Sequence, residues 1–183
     1  GSVGIVGSDL VAGRLLGGLK RLEYRGYDSA GLAVIAGDGT LQRRRASGKL
    51  INLDAAVKAD PIDGACGIAH TRWATHGAPT EANAHPHQSG SVAVVHNGII
   101  ENFRELKAEL ESAGHAFASE TDSEVIAHLI EAERRGGKAM TEAFAAAVKR
   151  LRGACAIAAV CAEEPGRLWA AREGSPLVVG LGE

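Results

Sequence analysis

An asparagine and a glycine at the end of an apolar run are the first residues in this sequence that could form a reactive site. Asn97 and Gly98 lie in the stretch VVHNGIIEN, residues 94–102. An Asn-Gly pair between β-branched residues is typical of a two-residue hairpin turn. The segment after Gly98 passes into a helical pattern, however, which leaves little room for a return strand. A side-chain amide beside a backbone N–H could instead hold an oxyanion, as acyl-transfer chemistry requires.

A second set of polar residues follows another apolar run, in the stretch HTRWATHG, residues 70–77. The guanidinium of Arg72 offers two parallel donors that match a carboxylate, although an exposed salt bridge would use the same charge. Asp122 stands where a helix is expected to begin, and there an acidic residue also serves as an N-cap. Residue type alone therefore leaves ligand binding and local structure both open for Arg72 and Asp122.

Five histidines lie within or close to one long loop: His70, His76, His85, His87 and His96. Imidazole is a common zinc ligand, so a metal-dependent hydrolase is one possible reading. No pair of these histidines has the spacing of a helical zinc motif, and the stretch HPH has no acidic neighbour. The pattern therefore predicts neither a metal nor another cofactor.

Length and composition restrict the class of protein. With 183 residues and 45% hydrophobic residues, the chain can fill the core of one large domain. A net charge of −2, with only the short basic run at residues 43–45, argues against nucleic-acid binding. No apolar stretch is long enough to span a membrane and no signal-peptide pattern is present, which favours a cytoplasmic protein. The three cysteines lack C-x-x-C spacing and lie among small apolar residues, which predicts inert buried thiols.

Strand patterns at both ends of the chain and helical patterns between them predict a layered α+β fold. Strands are expected at residues 1–7, 30–48 as a hairpin turning at Asp38-Gly39, 65–73, 91–97, 154–162, 167–173 and 176–182, and helices at 8–26, 50–59, 102–114, 121–137 and 141–150. Asn102 with Glu105, and Thr121 with Glu124, have the spacing of capping boxes. The last strand runs to the end of the chain, so we expect a domain that is truncated there.

Four motifs follow one another along the chain: RLEYRGYDSAG (residues 21–31), HTRWATHG with NAHPH (70–77 and 83–87), VVHNGIIEN (94–102) and SETDSE (119–124). Together they resemble the glutaminase domain of the glucosamine-6-phosphate synthases, which are class II glutamine amidotransferases. Related amidotransferases of purine and asparagine synthesis share the plan but resemble the first two motifs less. The resemblance implies an N-terminal-nucleophile hydrolase-like fold, a four-layer αββα sandwich.

The resemblance also implies roles for the polar residues already singled out. Asn97 and Gly98 match the pair that forms the oxyanion hole. Arg72 matches the residue that binds the α-carboxylate of L-glutamine or L-glutamate, and Asp122 matches the group that receives the α-ammonium. One ligand with two opposite charges would therefore account for both Arg72 and Asp122.

Further residues of these motifs are assigned to the same pocket. Thr75 and His76 are expected to shape the glutamine site. Trp73 matches a tryptophan associated with gating the path along which ammonia leaves. The stretch RGYDSAG is expected to shape the floor of the site through its glycine turns, without a chemical step.

The family's nucleophile has no counterpart in the sequence. The family begins with Cys-Gly-Ile-Val-Gly, and Gly1, Val3 and Gly4 match its second, fourth and fifth positions. The expected cysteine therefore belongs immediately before Gly1, and neither Ser2 nor Cys66 can replace it. A remnant of a cleaved tag, a natural loss and a modified cysteine are three open explanations. The chain beginning at Gly1 is expected to be catalytically inactive.

The leading functional prediction is a glutamine-hydrolysing domain that releases ammonia for making glucosamine 6-phosphate from fructose 6-phosphate. A non-catalytic glutamine-binding or interaction module that kept the pocket is the competing class. The resemblance implies a partner, a sugar-isomerase domain that binds fructose 6-phosphate and forms a homodimer. We expect residues 1–183 to be an incomplete glutaminase domain, without that isomerase domain.

Overall fold

Two antiparallel sheets form the centre of the fold, and helices cover the outer face of each. The computed structural model describes residues 1–26, 28–62, 64–74 and 77–182. The first half contains β1 (Ser2–Val6), α1 (Ala12–Leu22), a short 3-10 helix (Glu23–Arg25), β2 (Ser29–Ile35), β3 (Leu41–Ser47), α2 (Leu50–Ala59) and β4 (Cys66–Arg72). The second half contains β5 (His87–Ser89), β6 (Val92–Gly98), α3 (Phe103–Ser112), α4 (Glu124–Arg135), α5 (Met140–Arg150), β7 (Cys155–Cys161) and β8 (Trp169–Glu173).

Each half of the chain builds one sheet. In the described residues the first sheet has the order β1-β4-β2-β3 and the second has the order β5-β6-β7-β8. Every pairing within them is antiparallel. With α1 and α2 on one side and α3 to α5 on the other, the layers follow the predicted order αββα.

Alternation of side chains along the central strands explains why each sheet is apolar on both faces. In β2, Leu32 and Val34 pack towards α1 and α2, whereas Ala33 and its inward neighbours pack between the sheets. In β6, Val94 packs towards the helices and Val95 between the sheets. The inward residues pack the two sheets face to face, so their strand ends can share one site.

The predicted capping boxes are wrong. The amide of Asn102 does not cap α3 but bonds the backbone at Arg150 and Arg152. The carboxylate of Glu124 accepts hydrogen bonds from the backbone N–H groups of Ala118 and Ser119. Polar side chains near these helix starts therefore hold neighbouring loops, a role that spacing along the sequence does not reveal.

The strand predicted at residues 176–182 is also wrong. Val178, Val179 and Leu181 are 91%, 78% and 97% exposed, and the preceding Gly174 makes an isolated bridge to Cys155. An apolar run becomes a strand only where a neighbouring strand supplies hydrogen bonds. No described strand pairs with this segment.

Two further expectations can be compared with the structure. Cys66, Cys155 and Cys161 are free and buried, as predicted, and burial raises the pKa of the Cys66 thiol to about 11. Among the helices of the described residues, none combines the length and the apolar character that crossing a bilayer requires.

Candidate active site

A polar pocket lies where the two sheets meet, at the ends of β4 and β6 and the start of β1. Five of the predicted site residues line it: Arg72, Trp73, Asn97, Gly98 and Asp122. They come from three separate parts of the chain, and the packing of the sheets brings them together. Thr75 and His76 lie outside the described residues.

Asn97 and Gly98 end a strand rather than form a turn. Both belong to β6 and are paired with Ala156 and Cys155 of β7, so the hairpin reading of this dipeptide is wrong. The backbone of Gly98 has φ +132°, and a Cβ built there would overlap the carbonyl oxygen of Ala154. Only glycine fits such a position, and Gly98 lines the pocket together with Asn97.

Arg72 is a buried cation. The residue is only 4% exposed. Its guanidinium donates hydrogen bonds to the carbonyl oxygens of Gly77 and Ala78 at 3.3 and 3.1 Å. Burial lowers the pKa of Arg72, and the carboxylates of Asp28 and Asp122 oppose that shift. Because Arg72 is buried, an exposed salt bridge is not its role. A buried cation needs anions nearby.

Asp122 is buried as well, and it does not cap α4. Its Oδ2 accepts a hydrogen bond from the backbone N–H of Ile100 at 2.7 Å, and its Oδ1 accepts one from the hydroxyl of Ser123 at 3.3 Å. Helix α4 begins at Glu124, after Ser123. Asp122 therefore ties the start of α4 to the segment after β6 and presents an anion to the pocket that contains Arg72.

The motif RGYDSAG, predicted to shape the floor of the site, contacts the backbone at the end of β4. A carboxylate oxygen of Asp28 accepts a hydrogen bond from the N–H of Ala74, and the other accepts one from Ser29 Oγ. A Cβ on Gly26 would lie 2.7 Å from the carbonyl carbon of Arg72. This close contact and the Asp28 anchor fix the backbone that carries Arg72 and the 61% exposed Trp73 at the rim. Tyr27 of the same motif lies outside the described residues.

A cluster of buried histidines borders the pocket, and the sequence reading did not predict it. The rings of His70 and His85 stack with centroids 4.0 Å apart, and His87 meets His85 edge-on at 4.6 Å. Burial lowers the pKa of His87 to about 3 and that of His96 to about 4, and it lowers the pKa values of His70 and His85 well below 6.5. These rings are therefore neutral near pH 7.

The cluster is not arranged as a metal centre. Within the part of the chain that the structure describes, no three or more His, Cys, Asp or Glu side chains are placed to hold a metal ion. The signal that could have revealed the cluster is the position of His70 and His96 near the inner ends of two apolar strands. Once the topology is known, His70 shares its face of β4 with Ile68, which packs between the sheets, and His96 shares its face of β6 with Val94, which packs towards the helices.

Comparison with known proteins identifies the family. A family model described as a glutamine amidotransferase domain matches residues 70–181. The chain belongs to this family. Glutamine–fructose-6-phosphate aminotransferase (isomerizing) of Pseudomonas putida is 60% identical over 183 residues, covering 100% of this chain and 30% of that protein. The protein of the same name from Rhizobium meliloti is 59% identical over 182 residues, with the same two coverages. The chain thus spans 30% of the length of these relatives.

Solved amidotransferases have the same fold. Glutamine phosphoribosylpyrophosphate amidotransferase from B. subtilis matches with a TM-score of 0.75 and 28% identity, covering 88% of this chain and 35% of that chain. An allosteric regulatory enzyme of purine biosynthesis matches with a TM-score of 0.74 and 29% identity, covering 87% and 35%. The predicted N-terminal-nucleophile hydrolase-like fold and the predicted family are both confirmed.

Proposed function

We propose that this domain binds L-glutamine and releases ammonia from its side-chain amide, for synthesis of glucosamine 6-phosphate from fructose 6-phosphate. One observation carries the proposal: a buried cation, a buried anion and the Asn97-Gly98 pair share a single pocket. Arg72 suits the α-carboxylate and Asp122 the α-ammonium of an amino acid. The names of the relatives support glutamine as that amino acid and fructose 6-phosphate as the acceptor.

The proposed reaction is acyl transfer through a thioester. A thiolate attacks the side-chain amide carbon of glutamine, and the carbonyl oxygen becomes an anion that accepts hydrogen bonds from Asn97 Nδ2 and the Gly98 N–H. Collapse of this tetrahedral species breaks the C–N bond, and the leaving nitrogen takes a proton to become ammonia. Water then hydrolyses the thioester to glutamate and frees the thiolate.

The nucleophile would be a cysteine attached to Gly1, with its own α-amine as the base. Gly1 lines the pocket with Asn97 and Gly98, whereas none of the three cysteines of the chain does. The chain beginning at Gly1 would therefore bind glutamine without hydrolysing it. The competing function, a glutamine-binding module, would bind in the same way but would stay inert even with that cysteine in place.

Adding the cysteine separates these two functions. In the cysteine form, one cysteine with a free α-amine precedes Gly1; in the matched alanine form, an alanine does. We expect ammonia release from L-glutamine by the cysteine form only, and glutamate binding by both forms. Binding without ammonia release by the cysteine form would favour the binding module. Loss of binding in both forms would contradict the proposed pocket.

The role of Asn97 is tested in the cysteine form. Removing one oxyanion donor typically lowers kcat on the order of a hundredfold or more, so Asn97→Ala should do so with little change in glutamate affinity. Ammonia release is measured under saturating glutamine. An unchanged kcat would leave Asn97 without the proposed function.

The acceptor of the ammonia would be a sugar-isomerase domain that binds fructose 6-phosphate, and a homodimer contact would lie in that domain. The coverage of only 30% of each relative supports a larger protein. Trp73, at the exposed rim of the pocket, would gate the ammonia path towards it. Pocket-shaping by Thr75 and His76, and location in the cytoplasm, stay predictions.

A further inference from the structure

Asn83 is a buried asparagine whose side chain joins two loops. It belongs to residues 77–86 of the β4–β5 loop, and it contacts the α3–α4 loop, residues 113–123. The residue is only 2% exposed. Its Nδ2 donates a hydrogen bond to the carbonyl oxygen of Ala78 at 3.0 Å, and its Oδ1 accepts one from the backbone N–H of Glu120 at 2.9 Å. The proposed reaction uses neither contact.

Each end of this bridge lies close to a charged residue of the pocket. The carbonyl oxygen of Ala78 accepts a hydrogen bond from Arg72 Nη1 at 3.1 Å as well as the one from Asn83. At the other end, Glu120 stands two positions before Asp122 in the chain, and Asp122 lines the pocket with Arg72. One buried carboxamide thus connects the segment that holds the cation to the segment that carries the anion.

The orientation of the Asn83 carboxamide follows from its partners. Its Nδ2 also donates to the carboxylate of Glu120 at 3.3 Å, so two oxygens face the nitrogen and one backbone N–H faces the oxygen. A flipped amide would place its oxygen, which cannot donate, against both acceptors. A Cβ built on Gly77 would lie 2.7 Å from Asn83 Nδ2 and 3.3 Å from the Cβ of Glu120. The two loops therefore meet at close range and in one arrangement.

We propose that Asn83 is a positioning residue that sets the spacing between Arg72 and Asp122. The α-carboxylate and the α-ammonium of an amino acid are bonded to the same carbon, so one ligand meets both residues only when their separation is correct. Residues that contact a ligand keep such a separation when surrounding hydrogen bonds hold them, and a displacement of about 1 Å can cost on the order of a hundredfold in activity. The inference rests on the proposed function, because it concerns the same amino-acid site.

Hydrogen exchange tests the bridge itself, in the chain without the added cysteine. Asn83→Leu removes the acceptor of the Glu120 N–H, so the exchange of this N–H, followed by nuclear magnetic resonance, should accelerate at least about tenfold. Asn102→Leu is the matched control, because the Asn102 carboxamide also bonds the backbone of a distant segment, at Arg150 and Arg152. This control should leave the exchange of the Glu120 N–H unchanged. Equal exchange in the parent and in Asn83→Leu would overturn the proposal, whether or not the domain hydrolyses glutamine.

Kinetics of the cysteine form test the consequence for the ligand. Asn83→Leu should raise KM for glutamine about tenfold and leave kcat at saturating glutamine within about twofold, because the Asn97-Gly98 pair is unchanged. A mere loss of folded protein would instead lower the apparent kcat without a change in KM. Asn102→Leu should keep the KM of the parent. An unchanged KM in Asn83→Leu, or an equal rise in both variants, would overturn the proposal.

A double-mutant cycle tests whether Asn83 acts through Arg72. Titration calorimetry measures the dissociation constant of glutamate in the parent, the two single variants and the double variant. The factor by which Arg72→Ala raises this constant should be at least about threefold smaller in the Asn83→Leu background than in the parent, because the two residues share one hydrogen-bond network. Fully additive losses would overturn the positioning role.

A second variant guards against a folding failure. The side chain of Asn83→Ser is too short to reach both loops, but its hydroxyl suits polar surroundings, so this variant should fold even where Asn83→Leu does not. We expect faster exchange of the Glu120 N–H and a KM for glutamine raised severalfold. A parent that binds no glutamate would refute the proposed function, and this inference with it. A parent that binds glutamate no better than both Asn83 variants would refute this inference alone.

Discussion

Arg72 and Asp122 are two charged residues with ordinary local explanations that the structure excludes. The arginine is buried rather than at the surface, and the aspartate accepts a hydrogen bond from the Ile100 N–H rather than capping a helix. Burying either charge alone would cost desolvation free energy, and each charge lowers that cost for the other. A zwitterionic amino acid would complete the same balance of charge, with its carboxylate at Arg72 and its ammonium at Asp122.

Substitution of these two residues should weaken glutamate binding. Arg72→Ala removes a charge-assisted contact worth about 1.5–3 kcal/mol, so the dissociation constant should rise about ten- to a hundredfold. Asp122→Asn keeps an oxygen for the Ile100 N–H but removes the charge, and it should weaken binding as well. Titration calorimetry measures both, on protein shown to be folded by circular dichroism.

A partly exposed arginine provides the control for these variants. Arg150 forms a surface ion pair with Glu109, and Arg150→Ala should leave glutamate affinity unchanged because such pairs contribute little. Equal affinity in the parent, Arg72→Ala and Asp122→Asn would rule out the assignment of this pocket.

At the residue scale, the sequence could predict residues that line the pocket but not the long-range contacts that hold them. Asn97, Gly98, Arg72 and Asp122 stand in recognisable motifs. The contact between Asn97 and Ser2 joins residues 95 positions apart and exists only because two sheets pack face to face. No local pattern contains that information.

At the element scale, the end of β6 combines a strand with a backbone shape that only glycine adopts easily. Gly98 is paired with Cys155, and a side chain there would meet the Ala154 carbonyl. Gly98→Ala should lower the free energy of unfolding by about 1–3 kcal/mol, through the strained positive φ and the overlap. Urea denaturation of the chain beginning at Gly1 measures this loss.

A helical glycine gives the matched comparison for Gly98. Gly17 lies within α1, and a Cβ there would meet nothing within 4 Å. Gly17→Ala should therefore raise the free energy of unfolding by about 0.5–1 kcal/mol. If Gly98→Ala were as stable as the parent, a tight approach of β7 would not be the reason for glycine at the end of β6.

The basic run on β3 shows why loops were harder to predict than helices and strands. Arg43 donates to the carbonyl oxygen of Pro86, and Arg45 donates to those of Ala82 and Ala84. These arginines therefore hold the loop that carries His85. Periodicity predicts which face of an element is apolar, but it does not specify which loop a polar side chain reaches.

At the scale of the whole molecule, the strand and helix patterns predicted a layered α+β fold, and the family resemblance implied the layer order αββα. The patterns and the resemblance both extend over long stretches of the chain. Errors of a few residues at the ends of helices and strands therefore do not change the predicted fold. The segment at 176–182 has the composition of a strand, yet its hydrophobic side chains are exposed. A strand depends on a partner elsewhere in the fold, so composition alone did not decide its structure.

The buried histidines make the stability of the whole domain depend on pH. Burial holds the pKa of His87 at about 3 and that of His96 at about 4, and it lowers those of His70 and His85 well below 6.5. In the unfolded chain each titrates near pH 6.5, so below that pH the unfolded state binds more protons than the folded state. The free energy of unfolding is thus highest above about pH 6.5 and falls as the pH decreases towards 4.

Between pH 7 and pH 5.5 each buried neutral histidine should lower the free energy of unfolding by about 1 kcal/mol. The four together would remove several kcal/mol, a large part of the stability of a typical domain. Urea denaturation across this range measures the decline. His87→Gln, which retains a hydrogen-bonding group for Thr121, should reduce the decline by about a quarter, since one proton fewer is taken up on unfolding. Stability that is constant or rises between pH 7 and 5.5 would mean that these histidines are protonated in the folded protein.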